Sequence, residues 1–190
     1  MKTSTALFFT TCSIYIQDGS MDEYYIGKKM AASLQAVSQD DWRECHNQEY
    51  KTIHIENAIY SICGKVYKTY GGYAFMDLGL FNVVICNKAN SMIEDKYYEC
   101  QAEIVYDIWD CYHIEMNGGF HEPIEVEGVI KQIFIDTSEY IVSESPRGMT
   151  RSGVPQRFNI AIEQTACWED EKYSNGPTDY LIEIELCNDK

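Results

Sequence analysis

Apolar and polar side chains alternate most cleanly between residues 97 and 109. Tyr98, Cys100, Ala102, Ile104, Tyr106 and Ile108 fall on one side, and Glu99, Gln101, Glu103, Val105 and Asp107 on the other. A period of two marks a strand with one face on a core and one on solvent. The pattern returns at 179–187, where Tyr180, Ile182, Ile184 and Leu186 alternate with Glu183 and Glu185. Further strand patterns cover 5–17, 58–70, 73–77, 81–86, 124–135, 139–143 and 157–165. Turn signals at Asp18-Gly19, Gly71-Gly72 and Gly79 punctuate them, and Gly64 is a candidate bulge inside 58–70.

One segment departs from this period. Ser20 and Glu23 fit a capping box, and Ile26, Met30, Leu34 and Val37 follow at helical spacing with Lys28 and Lys29 off the stripe. This predicts one amphipathic helix over 21–38, packed on a sheet. Residues 40–51 are polar and read as loop. The expected fold is β-rich α+β: a mostly antiparallel twisted sheet or small barrel(s) with one N-terminal amphipathic helix.

A chain of 190 residues can bury a sizeable core as a single domain, 1–190. Within it Asn117-Gly118-Gly119 marks a weak division into halves 1–116 and 120–190. The halves echo each other. Residues 62–79 and 126–143 share the order apolar-x-Gly, strand, turn, second strand. This suits two β-meanders of one sheet, or two small barrels of the oligonucleotide-binding type.

Charge narrows the function. The chain carries 30 Asp+Glu against 15 Lys+Arg, a formal net charge of −15. Between residues 101 and 145 there are ten acids and one base, Lys131. Acids on the outer faces of strands repel phosphate and attract basic surfaces, which argues against nucleic acid. No apolar run approaches the roughly 20 residues that span a bilayer, so no membrane association is expected. The apolar stretch after Met1-Lys2-Thr3 is short and breaks at Thr10-Thr11, reading as strand rather than signal peptide. Eight scattered Cys in a chain of this size point to free thiols and a cytoplasmic setting.

Chemistry-bearing motifs are sparse. Cys45-His46 and Cys111-x-His113 are the close Cys/His pairs, and neither belongs to a Cys-x2-4-Cys knuckle, so no metal and no cofactor is expected. A Cys–His–acid site could be assembled from Cys111 or Cys45 with His113, His46 or His121, but no nucleophile signature accompanies it. No Gly-rich loop opens a helix to cradle phosphate. Asp77 and Asp136 read as turn-forming residues that bond nearby backbone N–H groups. Arg147, Arg151 and Arg157, three of the four Arg, share a Pro/Gly/Ser-rich loop.

All three Trp stand among acids: Asp40, Asp41, Trp42; Asp107, Trp109; and Trp168, Glu169, Asp170, Glu171. Trp anchors dominate many interfaces, while surrounding acids select a basic partner and speed encounter. With Glu99 and Glu103 these residues form the expected partner-binding set. The expected function is therefore a non-enzymatic acidic binding protein, of the inhibitor, immunity or DNA-mimic type, with a basic protein partner. The alternative is a structural or adaptor β-barrel module in a larger assembly, its acids serving solubility.

Overall fold

The computed structural model describes residues 6–86, 91–107, 125–138, 157–170 and 178–187. In chain order they form β1 (Ala6–Cys12), α1 (Ile14–Gln17), β2 (Lys29–Ser33), β3 (Gln35–Ser38), β4 (Arg43–Cys45), β5 (Lys51–Glu56), β6 (Ile59–Tyr70), β7 (Tyr73–Asp77), β8 (Asn82–Ile85), β9 (Tyr97–Val105), β10 (Glu125–Asp136), β11 (Phe158–Ile162), α2 (Cys167–Asp170) and β12 (Asp179–Leu186). Two compact units emerge, and they do not follow sequential halves. One combines Met1–Met30 with Gly128–Lys190, and the other is Ala31–Glu127. The expected break at Asn117-Gly118-Gly119 and the strand at 139–143 lie outside the described residues.

The Ala31–Glu127 unit contains a closed five-stranded barrel. β6 pairs antiparallel with β7, and β7 with β8. β8 pairs parallel with β3, β3 antiparallel with β9, and β9 returns to β6. Closure removes the free edges that an open sheet would expose. Ile62, Val66, Met76, Val83, Ile85, Ala102 and Ile104 fill the interior and are essentially inaccessible, while Phe75 and Val84 pack together on the opposite face with Tyr67, Tyr73 and Cys86. Gly64 is where β6 curls. A Cβ there would stand 2.3 Å from the Asp77 carbonyl oxygen, so only glycine admits this approach. The expected bulge falls just beyond it, between Val66 and Lys68.

In the other unit β12 is central, pairing antiparallel with β1 and with β10, while β11 pairs with β10. Register stacks the core in rows: Leu7–Ile184–Ile130, Phe9–Ile182–Ile133 and Thr11–Tyr180–Ile135. This is the inward set expected from the alternation at 179–187.

The helix expected over 21–38 is not formed. Gly27 sits at φ +90°, which a right-handed helix cannot contain. Gly27 lies in a turn closed by the Lys28 N–H, which donates to the Tyr25 carbonyl (3.1 Å). The Ile26 N–H donates to the Glu163 carbonyl (2.9 Å), and Gly27 and Lys28 exchange main-chain bonds with Ile130. Residues 29–33 and 35–38 belong to β2 and β3. Ile26 and Val37, half of the supposed apolar stripe, are 46% and 49% exposed. Ser20 closes a turn by donating its N–H to Asp18 Oδ1 (2.8 Å). Strand pairing has overridden a chance helical period. The loop expected over 40–51 is likewise interrupted by β4, which pairs with β9. The strand expected over 5–17 ends at Cys12, followed by the single turn α1.

Candidate functional site

Two surfaces gather the expected residues, one in each unit. On the barrel, four strands lie side by side in register. Lys51 on β5 faces Cys63 on β6, Cys63 faces Glu99 on β9, and Glu99 faces Arg43 on β4. Residues directly opposite share one face of a sheet, so this row alternates base, thiol, acid, base. Above it lies an open depression of about 260 Å³ lined by Asp40, Asp41, Arg43, Lys51, Ser61, Glu99, Cys100 and Gln101. Asp40, Asp41 and Glu99, distant in sequence, meet there. Their charge is offset locally by Arg43 and Lys51.

Two residues along, Cys45 on β4 faces Tyr97 on β9, on the same side as Glu99. The Sγ atoms of Cys45 and Cys63 and a carboxylate oxygen of Glu99 all lie within 4.8 Å of one another. Cys63 shares the face of exposed Glu99 yet is only 3% exposed. Burial, followed by the neighbouring Cys45 thiol, pushes the Cys63 thiol up to about 12. Beside this cluster the Tyr50 and Tyr97 rings pack 5.6 Å apart, and the bond to Tyr97 raises the Tyr50 phenol above its ordinary range.

In the other unit Trp168 lies on α2 and is 73% exposed. It borders an open depression of about 230 Å³ with Ile16, Gln17, Glu23, Ala166, Cys167 and Glu169. Short α2 holds it in place from within. Asp170 Oδ2 accepts from the Ala166 N–H (2.8 Å) and from the hydroxyl of fully buried Tyr180 (2.9 Å). Burial and the adjacent Cys167 raise the Tyr180 phenol well above its ordinary range.

No family model, curated protein or solved structure matches this chain.

The remaining expected residues separate by environment. Trp42 is half-buried, with its indole N–H buried and without a hydrogen-bond partner. Glu103 is half-buried between Val37 and Ile59. Asp107 is half-buried too, and its carbonyl accepts from Gln35 Nε2 at 3.4 Å. Asp170 is 6% exposed and turned inward, so its carboxylate organises α2 rather than meeting a partner. Trp109, Glu171, Arg147, Arg151, Cys111, His113 and His121 lie outside the described residues. The Arg157 N–H donates to Asp136 Oδ1 (3.1 Å). Asp136 Oδ1 also accepts from the Ser138 N–H (2.9 Å), and Asp77 Oδ1 from the Gly79 N–H (2.7 Å), the turn-forming roles read from the sequence. Among the described residues Cys12, Cys45, Cys63, Cys86, Cys100, Cys167 and Cys187 are not joined in disulfides.

Sequence reasoning missed the convergence of Cys45, Cys63 and Glu99. Cys45 drew attention for its neighbour His46, and Glu99 for its charge. What unites them is strand register, which no spacing along the chain reports.

Proposed function

We propose that this protein is a non-enzymatic acidic binding protein, of the inhibitor, immunity or DNA-mimic type, that grips a basic protein partner. The observation that carries this reading is Trp168: a 73% exposed indole beside Glu23 and Glu169 in a chain of net charge −15. A large exposed aromatic on a rigid support is the kind of anchor that dominates interfaces, and carboxylates around it select positive charge. Acids are spread over outer strand positions of both units, so the anchor rather than the charge alone chooses the face. The Asp40, Asp41 and Glu99 depression is a secondary contact, since Arg43 and Lys51 temper its potential. The free thiols suit a reducing compartment such as the cytoplasm.

The test is affinity capture from the host with washes at low and high salt, followed by kinetics on the captured protein. A basic partner released by salt is expected. Trp168→Ala should speed dissociation, costing about 2 kcal/mol, while Glu23→Gln with Glu169→Gln should slow association. An acidic partner, or unchanged rate constants in both variants, overturns the reading. Closed five-stranded barrels also serve oligonucleotide binders, which need basic tracks along the strand. At −15 no gel shift is expected with single- or double-stranded DNA or RNA at low salt, and salt-sensitive micromolar binding would contradict the charge argument.

A second reading, an adaptor barrel within a larger assembly, is favoured by one observation. Among the described residues β5 pairs with β6 alone, and Ile53 and Ile55 on it are 53% and 48% exposed. Such an edge can accept a strand from another chain. Capture that survives high salt and is lost on Ile53→Lys with Ile55→Lys selects this reading.

A further inference from the structure

We propose that Cys45, Cys63 and Glu99 form a binding site for a divalent zinc-type cation on the outer face of the barrel. The three ligand atoms lie within 4.8 Å of one another and come from three adjacent strands, β4, β6 and β9. Glu99 sits on the middle strand, with Cys63 directly opposite on one side and Cys45 diagonally placed on the other.

The two thiols converge without being placed to bond. With β9 between them, their backbones are separated by two strand spacings, about 9.6 Å at the usual 4.8 Å per step. A disulfide needs Cα atoms no more than about 7 Å apart. What spans two thiols held in this way is a third atom. Zinc takes Cys sulfur at about 2.3 Å and carboxylate oxygen at about 2.0–2.2 Å, so tetrahedral ligand atoms stand less than about 4 Å from each other, within the observed spread. Two sulfurs and one oxygen are a borderline-soft donor set that favours zinc over calcium or magnesium.

The surroundings fit the charge. Two thiolates and one carboxylate around a divalent ion leave one excess negative charge, and Arg43 and Lys51 flank the row on either side. Three protein ligands leave a fourth coordination position open, as in zinc sites that exchange a ligand. The cluster shares Glu99 with the secondary contact of the proposed function but owes nothing to Trp168, and metal binding is read on the chain alone, so its failure and the failure of the partner reading are distinguishable.

The test uses the full chain, reduced and stripped with a chelator, then titrated with Co2+ and back-titrated with Zn2+. One equivalent of Co2+ with a thiolate-to-cobalt charge-transfer band, bleached by Zn2+, is expected. Cys45→Ala should abolish the band. This variant is the safer one to fold, because Cys45 is half-buried on a three-residue strand. Cys63→Ala should abolish it as well, and Glu99→Gln should weaken Co2+ binding about tenfold or more, at least as much as loss of an outer-shell partner does. Cys100→Ala and Cys187→Ala should leave the band unchanged. No band in a chain whose thiols titrate as reduced overturns the proposal, as does an undiminished band in Cys45→Ala. A Cys45–Cys63 disulfide found by mass spectrometry after mild oxidation overturns it too, since the pair would then be within bonding reach.

Discussion

β6 in the barrel and β10 in the other unit use one bending device and put it to different ends. Each is a twelve-residue strand with an early glycine, Gly64 or Gly128, and a one-residue register shift just beyond, at Val66/Lys68 or Ile130/Gln132. In each the flanking core positions match: Ile62 and Val66 beside Gly64, Val126 and Ile130 beside Gly128, all buried. Yet β6 serves a closed barrel whose acids lie outside, at Asp40, Asp41 and Glu99. The unit built on β10 draws acids inward, as Asp136 at 0% and Asp170 at 6% exposure. The same carboxylate chemistry is therefore surface potential at Asp40, Asp41 and Glu99 and internal bracing at Asp136 and Asp170. Negative charge in a sequence does not by itself identify a binding face.

The largest effect should come from closing the glycine gaps. At Gly64 a Cβ would meet the Asp77 carbonyl oxygen at 2.3 Å, with Leu78 and Met76 side-chain atoms at 2.7 and 2.8 Å. At Gly128 the nearest atoms are the Ile184 Cδ1 at 2.9 Å and the Glu185 carbonyl oxygen at 3.0 Å. A methyl end can rotate aside, whereas a backbone carbonyl inside a closed barrel cannot. Gly64→Ala should cost about 3 kcal/mol and Gly128→Ala about 1 kcal/mol by denaturant unfolding. Equal costs would show that barrel closure adds no rigidity to the device.

Asp170→Ala comes next. It leaves the Tyr180 hydroxyl, in a fully buried residue, without its acceptor and frees the Ala166 N–H. A loss of about 2 kcal/mol is expected. The measurement is again denaturant unfolding, read together with partner binding. Asp170 was expected at the partner surface, so a binding defect far beyond the stability loss would restore it there.

Much of the fold was legible, for a reason these residues make plain. β9 and β12 each bury one face against a core, so alternation records their environment directly. β6 and β7 were framed by Gly71-Gly72, a local signal. The missed features depend on partners remote in sequence. Ile26, Met30, Leu34 and Val37 carry a helical period, but Gly27 and pairing with residues 130 and 163 decide the backbone. β4 is three residues long and exists because β9 offers an edge. The inward turn of Asp170 depends on Tyr180, and the thiol cluster on two registers at once. At the Trp168 depression only Glu169 was legible beside the indole, being its sequence neighbour, whereas Glu23 reaches it from a remote part of the chain.

Alkaline titration sharpens the contrast from the buried side. Tyr180 has its phenol raised above the ordinary value of 10.0, chiefly by burial and then by Cys167 and the bond to Asp170. A raised value means the folded state holds the proton where the unfolded chain releases it. That stabilisation is complete below pH 10 and is lost as pH climbs above it. The melting temperature should therefore fall steeply above pH 10. Tyr180→Phe should cost about 1 kcal/mol at neutral pH and make the alkaline fall shallower, though not absent, because Tyr50 and Cys63 are raised as well. An identical alkaline slope in wild type and Tyr180→Phe would remove Tyr180 from the account.

The smallest effect is expected where charge is most conspicuous. Asp40 and Asp41 are exposed neighbours at the rim of the barrel depression. Each carboxylate keeps most of its hydration there, so removing its charge alters little that folding had changed. Asp40→Asn with Asp41→Asn should shift unfolding free energy by no more than about 0.5 kcal/mol. Relief of repulsion between adjacent like charges could make the sign stabilising, and rising salt should shrink even that difference as the charges are screened. Its consequence should lie in kinetics: a slower association with a basic partner whose salt dependence is reduced, and an unchanged dissociation rate. A loss of 2 kcal/mol, matching Asp170→Ala, would mean that these acids brace the barrel as Asp170 braces α2. The distinction between outward and inward carboxylates would then fail at the residues on which it is most exposed to test.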